Sequence, residues 1–160
     1  MAHLPGRLAS AVTRPARPGA GAPYTRGMQG RTDYRMAKRA LVREVTHGVV
    51  PRADVCDAHP ELLRAARSVG AAVERACPIC ALADERAAVP ADATPSMRLV
   101  TYVFGDDLRR SEGKIVWSEA ELAELAERYR SLQAYTVECC LVCGWNHLME
   151  SYPVGRADAG

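Results

Sequence analysis

Two Cys-x-x-Cys pairs are the residues of this chain best suited to chemistry: Cys77 with Cys80 in "RACPICA", and Cys140 with Cys143 in "VECCLVCGWNHL". A thiolate is both a soft donor and a nucleophile, so such pairs serve as metal ligands or as redox centres. Structural zinc takes a tetrahedron of thiolates, or of thiolates with histidine. One C-x-x-C turn offers two sulfurs on the same side of a tight loop, which is half of that shell. Two facing turns complete it, so Cys77, Cys80, Cys140 and Cys143 are expected to bind one Zn2+. Gly144 follows the second pair, where such a turn favours a positive φ. Ala81 holds the equivalent place after the first pair, which points to a less regular turn there.

The spacing between the pairs is wide. Between Cys80 and Cys140 lie 59 residues, whereas compact zinc modules separate their pairs by about 15–20. An insertion organised as strand, helix and strand still returns to its starting point, and closure cost grows slowly with loop length.

Other candidates fit less well. Cys139 adjoins Cys140 but lacks the two-residue spacing, and in an alternating strand it points the other way, as a small buried residue. Cys56 reads as a core thiol, although "CDAH" gives it a ligand-like spacing to His59. His147 lies four residues beyond Cys143, while His3 and His47 have no constellation around them. A thioredoxin-type centre needs C-x-x-C to open a helix within a βαβ unit, and neither pair is expected in that setting. A catalytic zinc keeps one position open, which four thiolates do not. The chain also lacks a phosphate-cradling glycine loop, H-E-x-x-H and G-x-S-x-G. Asp106 and Asp107 are adjacent acids of the kind that cap a turn.

The elements that must position the cysteines are legible in part. Residues 1–30 are rich in Pro, Gly, Ala and Arg, without periodicity, and read as a disordered basic arm; Met28 offers a second start near its end. Residues 1–32 contain five arginines and no acid. From Asp33 a helix is expected, with Tyr34, Ala37, Leu41 and Val45 as its apolar stripe. If it begins near Arg31, then Arg31, Arg35, Arg39 and Arg43 form one row with Lys38 beside it. That row is either a solvated face or a binding face for an acidic partner, with Arg35, Arg39 and Arg43 as the contacts. Gly48 and Pro51 stop this helix.

"HPELLRAARSVG" predicts a second helix capped by Asp57 or His59, with Pro60 in the first turn and Gly70 after the end. The two helices carry only a weak helix-turn-helix signal. "MRLVTYVFG" is a strand, and Ser118 with Glu121 forms a capping box that opens a helix over 118–133. Its stripe is Leu122, Leu125, Tyr129 and Leu132. "AYTVEC" and "NHLMESY" are strands flanking the second cysteine pair.

Composition sets the outer bounds. The 160 residues are 48% hydrophobic and 25% charged, ordinary for one globular domain. The net charge of +2 implies no strongly basic surface overall. No apolar run approaches the ~18 residues of a membrane span, and no secretory signal is present, so a cytoplasmic location is expected. In that reducing compartment C-x-x-C pairs are not structural disulfides.

With "VCDAHPELLRAA", "CPIC", "VTYVFGDDL" and "CLVCGWNHL" in place, the chain resembles a family of small actinobacterial proteins of unknown function, from about residue 33 to residue 152. The resemblance maps the family's cysteine pairs onto Cys77, Cys80, Cys140 and Cys143 and leaves Cys139 outside. This chain departs by its long N-terminus and a longer "ALADERAAVPADATPSM" segment. No activity comes with the resemblance.

The expectation is an α+β protein with a small antiparallel, zinc-ribbon-like sheet, two N-terminal helices and one helix inserted between strands. Residues 31–153 form the domain and residues 154–160 a disordered tail. Its expected role is non-enzymatic: a zinc-bound module that presents a surface to a protein or nucleic acid, with no membrane and no small-molecule substrate. The alternatives are a thiol redox or zinc-release sensor, and an enzyme subunit whose site a partner completes.

Overall fold

A computed structural model describes residues 30–83, 96–105, 108 and 113–155. The expected basic arm lies outside the described residues apart from Gly30, as do Asp106 and Asp107. In chain order the elements are β1 (Thr32–Asp33), α1 (Arg35–Thr46), a 3-10 turn (Arg52–Asp54), α2 (Pro60–Val69), β2 (Ala71–Val73) and α3 (Pro78–Ala83). Then follow β3 (Met97–Phe104), β4 (Lys114–Val116), α4 (Glu119–Arg128), β5 (Leu132–Cys140) and β6 (Asn146–Val154). The expected α+β class is borne out, with an antiparallel sheet, two leading helices and a helix between strands.

The sheet order is β1-β6-β5-β3-β2, and β4 also pairs with β3. β3 shares its outer edge: Met97–Leu99 pairs with β2, and Thr101–Val103 pairs with β4. Side chains alternate across a strand, so β5 sends Tyr135, Val137 and Cys139 to one face and Ala134, Thr136, Glu138 and Cys140 to the other. On the first face Leu62, Ala65 and Ala66 of α2 pack on Val100, Tyr102 and Leu148. The second face is divided. At one end Leu125 of α4 covers Val103, Leu132 and Val154. At the other end Met97 and Cys140 are buried with Cys77, Ile79, Trp145, Val45 and Val55.

Three local expectations are corrected. α1 starts at Arg35, because Thr32 and Asp33 pair with Ser151 and Glu150 of β6 and the Tyr34 amide bonds the Met149 carbonyl at 2.9 Å. Arg31 therefore leaves the arginine row; it pairs with Glu150 at 3.5 Å and lies over the Tyr152 ring at 4.7 Å. Ala37 is exposed, and the inward side of α1 is Lys38, Leu41, Val42 and Val45. α4 ends at Arg128, not near residue 133. Leu132 satisfies the helical period, but pairing with Val154 and burial among Val103 and Leu125 draw it into β5.

The caps match their chemistry. His59 Nδ1 accepts from the Glu61 amide at 3.2 Å with Pro60 in the first turn, so of the two residues expected to cap α2 it is His59. Ser118 accepts from the Glu121 amide at 3.1 Å, while Glu121 reaches back to the Trp117 amide at 3.1 Å. Thirteen residues, 47–59, join α1 to α2, which is too long for the short turn of a helix-turn-helix. β6 runs through Val154, which is buried.

Candidate metal centre

The two knuckles are built differently. Cys77 sits at the head of α3, its carbonyl accepting from the Ala81 amide at 3.0 Å, with Pro78 pre-set for the first helical turn. Sequence reasoning expected neither pair to open a helix, and here Cys77 does. The thioredoxin setting is still absent: β2 and β3, which flank α3, pair antiparallel, so no parallel βαβ crossover forms. The irregularity anticipated from Ala81 thus takes the form of a short helix.

The second knuckle is a tight turn. Cys140 ends β5, and its carbonyl accepts from the Gly144 amide at 3.0 Å. Its own amide donates to the Trp145 carbonyl at 2.8 Å. Gly144 has φ +77°, the left-handed conformation expected there. The Trp145 amide then points at the Cys143 sulfur, 3.4 Å away.

The fold brings all four sulfurs together. Cys77 and Cys143 approach to 3.6 Å, Cys80 and Cys140 to 3.9 Å, and the four sulfurs lie within 4.8 Å of one another. A tetrahedron with zinc–sulfur bonds of about 2.3 Å has edges of about 3.8 Å. Both of these contacts run between knuckles, so each knuckle contributes half of one shell. All four are free thiols, and Cys77 and Cys140 are buried, at 2% and 0% exposure.

Proton affinities in the cluster are split. The Cys140 and Cys143 sulfurs, by hydrogen bonding, and then burial push the Cys77 thiol far up. Burial and the Cys143 sulfur push Cys80 to about 12. Hydrogen bonds from Cys143 and Cys77 draw Cys140 well below the ordinary thiol range. The cluster thus makes Cys140 a stronger acid, and Cys77 and Cys80 weaker ones, than an ordinary thiol. Cys77, Cys80, Cys140 and Cys143 would together hold a divalent cation as thiolates, giving up their protons on binding it. The donor set therefore fits a soft or borderline metal ion.

Cys56 packs beside the cluster, whereas Cys139, His147 and the arginine row lie elsewhere. Cys139 faces α2 on the opposite side of β5. His147 stacks on Trp145, with ring centroids 5.8 Å apart, and its Nδ1 lies 2.6 Å from the Leu148 carbonyl. Arg35, Arg39 and Arg43 are exposed on α1, and Arg35 pairs with Asp33 at 2.9 Å.

Sequence reasoning missed a polar network beside the second knuckle. Glu138, fully buried, binds Lys38 Nζ at 2.6 Å, an Arg75 guanidinium nitrogen at 2.7 Å and the Trp145 indole nitrogen at 2.8 Å. Lys38, which lies beside the arginine row in the sequence pattern, occupies the inward stripe of α1. The available signal was its spacing: Lys38, Leu41, Val42 and Val45 follow helical periodicity.

An open cleft of about 800 Å³ lies over the middle of the second sheet face, between Leu99, Thr101 and Thr136 on its floor and Leu122 and Ala126 of α4. None of the four cysteines lines it.

Fold and site define a small α+β domain in which two cysteine knuckles, distant in sequence, converge on one four-sulfur centre. The chain belongs to an actinobacterial family described as a family of unknown function (DUF5318), whose pattern matches residues 26–160. It is similar to the uncharacterised proteins Rv0049 of Mycobacterium tuberculosis and Mb0050 of Mycobacterium bovis. Each is 38% identical over 125 residues, covering 78% of this chain and 82% of the relative. No solved structure matches the chain.

Proposed function

We propose that this protein is a non-enzymatic, zinc-ribbon-like module of the cytoplasm, in which one structural Zn2+ holds a surface in shape for a macromolecular partner. The observation that supports it most is the closure of the cluster: four sulfurs within 4.8 Å, two of them fully or nearly fully buried. Four thiolates fill a tetrahedral shell and leave no position for a substrate or a reactive water. A thiol-rich centre of this kind is suited to a reducing compartment. Among the described residues no helix is long and apolar enough to cross a membrane.

The surface assigned to the partner is the outer side of α1, where Arg35, Arg39 and Arg43 are exposed. The planar guanidinium fork suits carboxylates and phosphates, so the partner is an acidic protein surface or a nucleic acid. The inner side of α1 packs on the metal end of the core through Leu41, Val42 and Val45. Metal and binding surface therefore share one cluster.

Metal analysis of the purified protein tests the centre. One zinc per chain is expected, with sulfur-only coordination in X-ray absorption. Cys140→Ser should lose the metal and Cys139→Ser should keep it. Equal loss from both would overturn the ligand assignment.

A further inference from the structure

A fifth thiol lies against the cluster. Cys56 follows the 3-10 turn, is partly exposed, and packs with Cys80 and Cys143 on the core that contains Val55, Cys77 and Cys140. Its segment is fastened to the second knuckle. The Ala58 amide donates to the Gly144 carbonyl at 3.0 Å, and Asn146 Nδ2 donates to Asp57 Oδ1 at 3.0 Å. A Cβ on Gly144 would sit 3.1 Å from the Cys56 carbonyl oxygen, so glycine is what permits the approach. Cys139, the other thiol outside the quartet, is on the far side of β5.

We infer that Cys56 is the resolving thiol of an oxidation site, in which a hydroperoxide attacks Cys143 and a Cys56–Cys143 disulfide removes one of the four metal donors. The inference rests on the reading that Cys143 holds the metal. Cys143 is one of two partly exposed residues of the quartet; Cys77 and Cys140 are buried. Its thiolate attacks the peroxide, the O–O bond breaks, hydroxide leaves, and Cys143 becomes a sulfenic acid. The Cys56 sulfur then displaces the sulfenic oxygen, which leaves with the thiol proton as water. Two sulfurs have given up two electrons, and the peroxide has taken them. In the loaded protein the electron pairs of Cys77, Cys80 and Cys140 are engaged by the metal, whereas that of Cys56 is not. Three remaining thiolates hold zinc more weakly, and a dithiol reductant reverses the step.

The test uses full-length, zinc-loaded protein treated with dilute hydrogen peroxide. Zinc release is followed with a chromogenic chelator, and disulfides are mapped by mass spectrometry after alkylation. The expected result is one zinc released per Cys56–Cys143 disulfide, with recovery on adding dithiothreitol. Cys56→Ser should still bind zinc, with dithiol-reversible release slowed about tenfold or more, because a neighbouring thiol acts at high effective concentration. Cys56→Ala serves if the serine variant does not fold, and mapping in the wild type stands without either. A disulfide between Cys77 and Cys143 or between Cys80 and Cys140 overturns the inference, as does unchanged reversible release from Cys56→Ser. Both results leave the zinc centre standing. Absence of zinc from the untreated protein defeats the metal reading and this inference together.

Discussion

Trp145 joins the buried carboxylate to the four-cysteine cluster: its indole nitrogen donates to Glu138 at 2.8 Å, and its backbone amide points at the Cys143 sulfur at 3.4 Å. Glu138 in turn fastens Lys38 of α1 and Arg75, two residues before the first knuckle. One carboxylate thus ties the leading helix and both knuckle segments together. Removing it strands Lys38, whose side chain is only 15% exposed.

Glu138→Gln is therefore expected to destabilise the zinc-loaded protein by about 3–5 kcal/mol, the usual cost of leaving a buried charge unpaired. Urea unfolding in excess zinc measures it. A paired Glu138→Leu, Lys38→Met variant should recover part of the loss, because the carboxylate and the Lys38 ammonium are then both absent, while Arg75, 48% exposed, keeps its access to water. No recovery would mean that packing, rather than charge, sets the cost.

Metal uptake must expel protons from the cluster. The Cys77 thiol is pushed up chiefly by its Cys140 and Cys143 neighbours, and Cys80 to about 12 chiefly by burial. Zinc affinity should rise with pH by about tenfold per unit for each proton released. Calorimetry in buffers of different ionisation heat counts those protons. An affinity flat between pH 6 and 8 would contradict thiol ligation.

Tyr102 provides a pH dependence independent of the metal. Burial, and then the Cys139 and Glu61 charges, raise its pKa from 10.0 to about 12. The unfolded chain ionises first as pH rises, so this contribution is complete below pH 10.0 and is lost on the way to about 12. The loss is at most about 1.4 kcal/mol per pH unit. Tyr102→Phe should flatten that part of the alkaline stability profile, measured by urea unfolding at pH 9 and pH 11. An unchanged slope would place the alkaline loss elsewhere.

Changing Arg35, Arg39 and Arg43 together to Gln should leave zinc content and folding nearly intact. The one ion pair lost, Arg35 with Asp33, is 70% and 50% exposed and contributes little. Binding to the captured partner should fall by about tenfold or more. If the partner is nucleic acid, the logarithm of affinity should also decline steeply with the logarithm of salt concentration. Full affinity in the triple variant would reduce the row to a solvated face.

The sequence alone determined what depends on local pattern. C-x-x-C spacing selected Cys77, Cys80, Cys140 and Cys143, and the structure brings those four together. Gly144 foretold the positive φ, Pro60 and Ser118 marked helix starts, and alternation in β5 separated Cys139 from Cys140. Each is a property of one short segment. Tertiary structure decided wherever two segments compete or meet. Leu132 suits either a helix or a strand locally, and pairing with Val154 settled it. Thr32 and Asp33 joined β6, which shortened α1 and removed Arg31 from the row. Lys38 differs little from its basic neighbours in sequence, and only the arrival of Glu138, one hundred positions later, makes it a partly buried, paired cation. Cys56 reads as a core thiol until the Gly144 turn is laid against it. Spacing encodes contacts within a turn of chain; contacts across the sheet arise from the register of strands and the burial it imposes, which no single segment contains.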